Sequence, residues 1–250
     1  MEDDLFKKRL TELADKAYNN SQYVFTGFLS MAEADLYYKM ERELSYAQAT
    51  LFGGTKDCER VMIRFGSEDI CGYVEEFPIE CIEIEPLIEK FAQQLTHRDY
   101  LGALMNLGIE RSTIGDVIVD GKRAFIFCTD KMADYIVENV DKINHTSVRC
   151  KKAQNIPEST ITRLERKRVQ VSQVRADSII SKVYGMSRSE SVNLFRAGKV
   201  YINGRLNENN SGQLKAEDKV SVRGFGRFNF VRIAGESKKG KLNVDIDIPI

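Results

Sequence analysis

The chain has 250 residues, of which 42% are hydrophobic and 30% charged, with equal numbers of basic and acidic side chains. This composition is typical of a folded globular protein and excludes a disordered chain, and the length predicts two or three domains. No apolar run reaches the ~18 residues that a membrane helix needs, and the N-terminus lacks a signal-peptide core, so we expect no membrane span.

The first segment, residues 1–75, is predicted to form a small α/β unit. Ser30 and Glu33 have the spacing of a capping box, which marks the start of a helix. Nothing in this segment has the spacing of a catalytic site. The predicted elements are a helix near Asp4–Tyr18, a helix from Ser30 to about Glu43, and, after Gly53 and Gly54, a strand of alternating residues over 61–65.

Residues 76–152 follow the order βαββαβ, which resembles a ferredoxin-like split βαβ unit. Thr96 and Asp99 form a second capping box, and Asp120-Gly121 is a two-residue hairpin signal. The order alone assigns no function. The predicted elements are strands over 79–84, 116–119, 123–128 and 146–150, a helix over 96–108, and a helix from Thr129 or Asp130 to about Val140.

Residues 153–172 are predicted to form a polar linker that contains Pro157 and a short strand at Val169 and Val171. Residues 173–250 are predicted to hold two helices followed by a small sheet. The predicted elements are a helix around 179–183, a helix from the Ser187/Glu190 capping box to Gly198, and strands over 200–202 and 220–222, with a tight turn at Asn203-Gly204. The predicted fold class is therefore α+β, in three parts.

Cysteine usage indicates a cytoplasmic protein. The five cysteines are odd in number and widely spaced, with no CxxC pair, which argues against a disulfide framework and against a structural zinc site. Disulfides are rare in the reducing cytoplasm, so we expect buried thiols. We also expect neither a bound metal nor a cofactor. The cysteines are Cys58, Cys71, Cys81, Cys128 and Cys150.

Charge is divided unequally along the chain. Residues 1–162 carry 19 basic and 28 acidic side chains, a net charge of −9, whereas residues 163–250 carry 18 and 9, a net charge of +9. Without the acidic tail after Lys241, the basic half reaches +11. This asymmetry predicts a polyanionic partner for the second half, with nucleic acid the first candidate. The alternative is a solvated basic surface.

The most specific pattern lies in the basic half. It comprises Arg175-Ala176-Asp177, Ser187-Arg188-Ser189, Gly198-Lys199-Val200-Tyr201-Ile202-Asn203-Gly204 and Asp218-Lys219-Val220-Ser221-Val222. In order and spacing this pattern resembles the S4 RNA-binding domain over about 175–225, although Ala176 stands where that family usually has leucine. The resemblance implies RNA binding, and in related S4 proteins of quality control the arginines at the positions of Arg175 and Arg188 contact RNA.

The candidate RNA-binding residues are basic or hydrogen-bonding side chains of these helices and turns. Arg188 lies in the first turn of its helix, where backbone N–H groups suit a phosphate, and guanidinium groups bind phosphate bidentately. Arg223 and Arg227 flank glycines and aromatic rings that suit RNA, or that form a bent strand with its rings packed inward. The set is Arg175, Ser187, Arg188, Arg196, Lys199, Asn203, Arg205, Arg223 and Arg227.

Four further stretches extend the likeness. They are Phe25-Thr26-Gly27-Phe28-Leu29, Phe52-Gly53-Gly54 with Glu59-Arg60, the run 95–108 continued by Arg111 and Gly115-Asp116, and 221–228. With them the sequence resembles the YlmH family over almost its whole length, and 95–116 is the most specific part because other S4 proteins lack it. The resemblance implies a bacterial cytoplasmic protein that binds rRNA and tRNA. It would support ribosome-associated quality control on stalled large subunits carrying peptidyl-tRNA, beside other quality-control proteins. We expect a monomer.

A secondary set of RNA contacts is predicted outside the S4-like segment. His97-Arg98-Asp99 has the letters of a kinase catalytic loop, but the glycine-rich loop and the Asp-Phe-Gly motif are missing, so a kinase is excluded. His97 and Arg98 face either RNA or a neighbouring domain, and a structural role is the alternative. The secondary set is His97, Arg98, Arg111, Lys122 and Arg123.

Residues 121–128 partly resemble the aromatic octamer of an RNA recognition motif, in the third strand of the split βαβ unit. Phe125 and Phe127 share one face of this strand and could stack on bases. Because Arg123 and Cys128 stand where the octamer has aromatic rings, packing of the two phenylalanines in the core is the favoured interpretation.

No catalytic constellation is evident, and the chain has only two histidines, His97 and His145. We therefore predict an RNA-binding protein that is not an enzyme. Two alternatives stay open: an RNA-modifying enzyme with an unrecognised active site in the N-terminal half, and an adaptor of cell-division proteins.

Overall fold

A computed structural model describes residues 2–56, 58–153 and 164–249. It confirms the α+β class, with helices and strands interspersed along the chain. The chain packs into two compact units, Met1–Ile161 and Thr162–Ile250. Among the described residues, no helix is long and apolar enough to cross a membrane.

The first part of unit 1 packs two helices against a three-stranded antiparallel sheet with the order β1-β3-β2. The predicted capping box is confirmed, because the Ser30 side chain and the Glu33 carboxylate each accept the other residue's backbone N–H. The elements are α1 (Glu2–Asn20), β1 (Val24–Phe25), α2 (Met31–Met40), β2 (Thr50–Phe52), β3 (Met62–Phe65) and α3 (Glu68–Cys71), with a 3-10 turn at Ser45–Ala47.

The second part of unit 1 has the predicted βαββαβ order with one addition, a two-residue strand at Lys142–Ile143 before the last strand. Its antiparallel sheet has the strand order β5-β6-β4-β8-β7, and the side chains of Ile82, Ile84 and Ile126 form a buried core with the helices. The elements are β4 (Ile79–Pro86), α4 (His97–Asn106), β5 (Ile114–Asp120), β6 (Arg123–Thr129), α5 (Asp130–Asn139), β7 (Lys142–Ile143) and β8 (Thr146–Lys152), with 3-10 turns at Glu89–Phe91 and Arg111–Thr113.

Residues 1–75 and 76–152, which the sequence separates, share this one compact unit. The physical reason is an apolar cluster of Phe28, Met62 and Phe127, which joins the first part to the open face of the second part's sheet. Phe125 and Phe127 are 1% and 3% exposed, so the interpretation as core residues is confirmed. Their rings are covered and do not form a base-stacking surface.

Unit 2 packs two helices on an antiparallel sheet with the order β11-β10-β12-β13-β14-β9. Residues 164–171, placed in the linker by the sequence, form a full strand that pairs with the last strand, because Val169 and Val171 pack with Val244. The predicted linker residue Pro157 lies outside the described residues. The elements are β9 (Leu164–Val171), α6 (Ala176–Val183), α7 (Arg188–Arg196), β10 (Val200–Ile202), β11 (Arg205–Leu206), β12 (Lys219–Val222), β13 (Gly226–Glu236) and β14 (Leu242–Pro249).

Candidate nucleic-acid interface

A fully buried carboxylate, Asp177, organises the basic side chains of unit 2. Its Oδ1 accepts from Arg175 Nε at 3.0 Å, and its Oδ2 accepts from Arg175 Nη2 at 2.8 Å. The same Oδ2 accepts from Asn210 Nδ2 at 3.1 Å and lies 3.4 Å from Arg188 Nε. We call Asp177, Arg175, Arg188, Asn210 and the neighbouring Arg196 the Asp177 site.

The local sequence sets the positions of these side chains. Arg175 immediately precedes α6, so its side chain can turn back onto Asp177 two residues later. Ser187 caps α7 in the predicted box, which places Arg188 in the first turn. The Ser191 hydroxyl donates to the Asp177 carbonyl at 2.9 Å and thereby joins the two helices at this point.

The electrostatics of the Asp177 site keep the carboxylate ionised. Burial raises the pKa of Asp177, but the hydrogen bonds from Arg175 and Asn210 and the charges of Arg175 and Arg188 outweigh burial, so the pKa is lowered. One negative charge therefore faces two guanidinium groups, with a third on Arg196 nearby. The result is a fixed local excess of positive charge, which suits an anion.

The guanidinium groups border an open groove. The Arg188 side chain is 56% exposed, whereas that of Arg175 is 26% exposed. The groove has a volume of about 440 Å³ and is lined by Arg175, Asp177, Arg188, Ser189, Val192, Asn193, Arg196 and Asn210. Of the predicted set, Arg175, Arg188 and Arg196 are thus brought together, and Ser187 supports them as a helix cap.

The other predicted residues of unit 2 lie elsewhere. Lys199 and Arg223 are exposed neighbours, since the Arg223 N–H donates to the Lys199 carbonyl at 2.8 Å. Arg205 is exposed on β11, and Arg227 is half-buried on β13. Asn203 has a positive φ of 52°, and its side chain bonds to Asp218 and to the Lys219 N–H, so it holds the hairpin turn together.

The secondary set in unit 1 falls into two groups: His97, Arg98 and Arg111 near the start of α4, and Lys122 and Arg123 in the hairpin of β5 and β6. Arg111 Nη1 donates to the carbonyls of Ile114 and Gly115, and desolvation lowers the pKa of Arg111 to about 10. Desolvation and the charge of Arg111 lower the pKa of His97, so its imidazole is neutral at pH 7. Arg98 is exposed beside it.

The two basic residues of the hairpin have partners within unit 1. Arg123 pairs with Glu83 and Asp120 at 3.5 and 3.6 Å, and Lys122 Nζ donates to the Glu89 carbonyl at 2.7 Å. The turn between β5 and β6 is Gly121-Lys122, one residue later than predicted, and Asp120 and Arg123 close it.

Arg60 and Asp116, both within the YlmH-like stretches, join the two parts of unit 1. The Arg60 guanidinium donates to three backbone carbonyls, those of Phe28, Arg111 and Ile114, at 2.8–2.9 Å. The Asp116 carboxylate accepts the N–H groups of Glu59 and Arg60 at 2.7 and 3.0 Å. These contacts give Arg60 and Asp116 a structural role in unit 1.

Sequence reasoning missed the central role of Asp177 and Asn210. Asp177 enters the sequence analysis only as one residue of the S4-like pattern, although a carboxylate two residues after an arginine at a helix start is a usable signal. Asn210 carries no such signal, because it lies in a loop far along the chain. Among the described residues, no group of three or more metal-ligating side chains is gathered.

The fold and the site define a class: a two-unit α+β protein with a basic, helix-borne arginine site. Residues 73–156 match a family model described as "Putative RNA-binding domain in YlmH". The chain is 27% identical over 199 residues to "Ribosome-associated protein quality control protein P2" of Bacillus subtilis (strain 168), covering 78% of this chain and 76% of that protein. Both matches support the resemblance of this chain to the YlmH family.

The chain is also similar to a solved structure. That structure is described as "Cell division protein ylmH from Streptococcus pneumoniae", is 24% identical, and superimposes with a TM-score of 0.49 over 61% of this chain and 92% of that chain.

Proposed function

We propose that this protein binds RNA of the ribosome, and that the Asp177 site of unit 2 contacts the phosphate backbone. The observation that carries the proposal is that one buried carboxylate holds two guanidinium groups at the starts of two helices, with Arg188 open to solvent. Arginines fixed in this way lose little side-chain entropy when they bind a phosphate. The likeness of residues 175–225 to an S4 domain supports the same partner.

The similar proteins support RNA and the ribosome as partners. The matching family model is described as an RNA-binding domain, and the Bacillus subtilis relative is named for ribosome-associated quality control. The basic charge of residues 163–250, +9 against −9 for the rest, favours unit 2 as the main contact. Because the proposed partner is the ribosome, we propose that the protein acts in the cytoplasm.

The finer proposal is that unit 2 clamps rRNA and tRNA backbone on stalled large subunits that carry peptidyl-tRNA. RNA helices are contacted mostly through shape and backbone, which suits exposed arginines and lysines on helix ends and turns. The action is positional, and no residue is given a catalytic role. Lys199, Arg205, Arg223 and Arg227 remain proposed contacts, with His97 and Arg98 as a secondary set.

The test is co-sedimentation of the full-length protein with purified large ribosomal subunits across a salt series. The variant is Arg188→Gln/Arg196→Gln, which spares Arg175 as the chief partner of Asp177. The control is Lys8→Gln/Lys16→Gln, which removes two exposed positive charges from α1. Loss of two phosphate contacts should lower the slope of log affinity against log salt by about 1.4–1.8.

A variant slope equal to that of the control would overturn the assignment of the Asp177 site. The quality-control part is tested separately, by comparing subunits with and without peptidyl-tRNA. We expect wild-type protein to prefer subunits that carry peptidyl-tRNA, and equal binding would remove that part of the proposal alone.

A further inference from the structure

A second group of arginines lies on the sheet of unit 2, outside the S4-like stretch. Arg168 Nε and Nη2 donate to the two carboxylate oxygens of Asp245 at 2.7 and 3.2 Å. Arg166 contacts Asp247 in the same two-pronged way, at 2.7 and 2.9 Å. Arg232 Nε adds a third guanidinium, 3.2 Å from Asp245 Oδ2. We call Arg166, Arg168 and Arg232 the arginine face.

Strand pairing places these arginines on the solvent side of the sheet. Arg168 pairs with Asp245 and Arg166 with Asp247, and paired residues of neighbouring strands share a face. The alternating residues, among them Val169, Val244 and Ile246, belong to the core of the unit. Arg166 and Arg168 are two residues apart, so their Cα atoms lie about 7 Å apart along β9.

The two aspartates position the guanidinium groups without covering them. Asp245 is 1% exposed, whereas the side chains of Arg166, Arg168 and Arg232 are 54, 56 and 64% exposed. Each guanidinium has five N–H donors and uses at most two on an aspartate, so donors remain on each for a ligand. The charge of Glu217 also acts on Arg166, so three carboxylates neighbour the three guanidinium groups, and the excess of positive charge is that of the unit as a whole. The arrangement repeats that of the Asp177 site, where a buried carboxylate also holds two arginines.

We infer that the arginine face binds the phosphodiester backbone of RNA, as a second contact of unit 2 beside the Asp177 site. This inference rests on the proposed RNA-binding function and extends it to a surface of strands β9, β13 and β14. RNA is the favoured occupant for two reasons. Planar guanidinium groups held at the regular spacing of a strand suit a row of phosphates, and the unit as a whole is basic. An acidic protein segment is the competing occupant.

The experiment measures binding of the full-length protein to purified large ribosomal subunits and to a 20-base-pair RNA duplex, across a salt series. The variant is Arg166→Gln/Arg232→Gln. It keeps Arg168 on the buried Asp245, and glutamine can still donate a hydrogen bond to Asp247. The matched control is Lys8→Gln/Lys16→Gln. We expect the log–log salt slope to fall by about 1.4–1.8 relative to the control with at least one of the two RNAs.

The inference is overturned if the slopes of this variant and of the control agree with both RNAs, which would leave an acidic protein segment as the occupant. Should the double variant unfold, Arg232→Gln alone replaces it, with an expected fall of about 0.7–0.9. Arg188→Gln/Arg196→Gln, measured in parallel, distinguishes the two proposals. If only that variant lowers the slope, the proposed function stands and the arginine face fails, whereas two unchanged slopes remove both.

Discussion

Replacement of Asp177 by asparagine separates two physical effects at the Asp177 site. Asparagine has nearly the same shape, but it removes the charge and leaves one acceptor oxygen where the carboxylate has two. At least one of the two hydrogen bonds from Arg175, at 3.0 and 2.8 Å, is therefore lost. A hydrogen bond to a charged group contributes about 1.5–3 kcal/mol, and breaking a buried ion pair costs about 3–5 kcal/mol.

Arg175 and Arg188 can reach water, so the full cost of a broken buried ion pair does not apply. The expected loss of stability lies between the two ranges. We expect the free energy of unfolding of unit 2 to fall by about 2–4 kcal/mol. The measurement is urea denaturation followed by circular dichroism. Glu208→Gln, at an exposed position of the same unit, is the control and should change stability by less than about 0.5 kcal/mol.

The same variant makes opposite predictions for RNA binding. Net charge alone predicts tighter binding, because Asp177→Asn removes one negative charge from the site. Fixed geometry predicts weaker binding, because Arg175 and Arg188 lose the carboxylate that orients them. We expect weaker binding to large ribosomal subunits under conditions where the variant stays folded. Tighter binding, or a variant as stable as Glu208→Gln, would refute the reasoning.

Three further predictions concern stability. The pKa values of Asp177 and Asp245 are lowered in the folded protein. The ionised carboxylates therefore stabilise the fold above the unfolded pKa of ~3.9, and this stabilisation is lost as the pH falls. Thermal unfolding should show the loss below about pH 5. Arg60→Gln should destabilise unit 1 by more than about 2 kcal/mol in urea, because three carbonyls lose a charged donor. Gly54→Ala should destabilise unit 1 by more than about 1 kcal/mol, since φ is +107° and a Cβ would overlap the Phe127 ring.

Each of these predictions has its own control. The acid loss should be smaller in Asp177→Asn, and an identical pH profile would contradict the role given to this carboxylate. Arg42→Gln is an exposed counterpart for Arg60→Gln. Gly72→Ala, at a positive φ of 78° with open space around it, isolates backbone strain from overlap with Phe127. Equal effects of Gly54→Ala and Gly72→Ala would exclude the overlap.

The sequence predicted features that depend on neighbouring residues. The capping boxes of Ser30 and Ser187 are set within four residues, so the starts of α2 and α7 were found. Core packing of Phe125 and Phe127 follows from a local comparison, because Arg123 and Cys128 stand where an RNA-binding octamer has aromatic rings. The cover over Phe127 was not predicted, because Phe28 and Met62 come from a different part of the chain. Their contact depends on tertiary packing that no local pattern encodes.

Charge is also predicted only in part by the sequence, which gives the sign of a segment but not the placement of its charged side chains. Counting along the chain found the basic half, but it set aside Asp245 and Asp247 as an acidic tail. In the fold these residues lie on β14, between the arginines of β9 and β13, and they orient the guanidinium groups of the arginine face. A strand pairing that joins residues 168 and 245 has no local signature. Net charge therefore indicates that an anion is the partner, while the placement of buried carboxylates decides which arginines are presented to it.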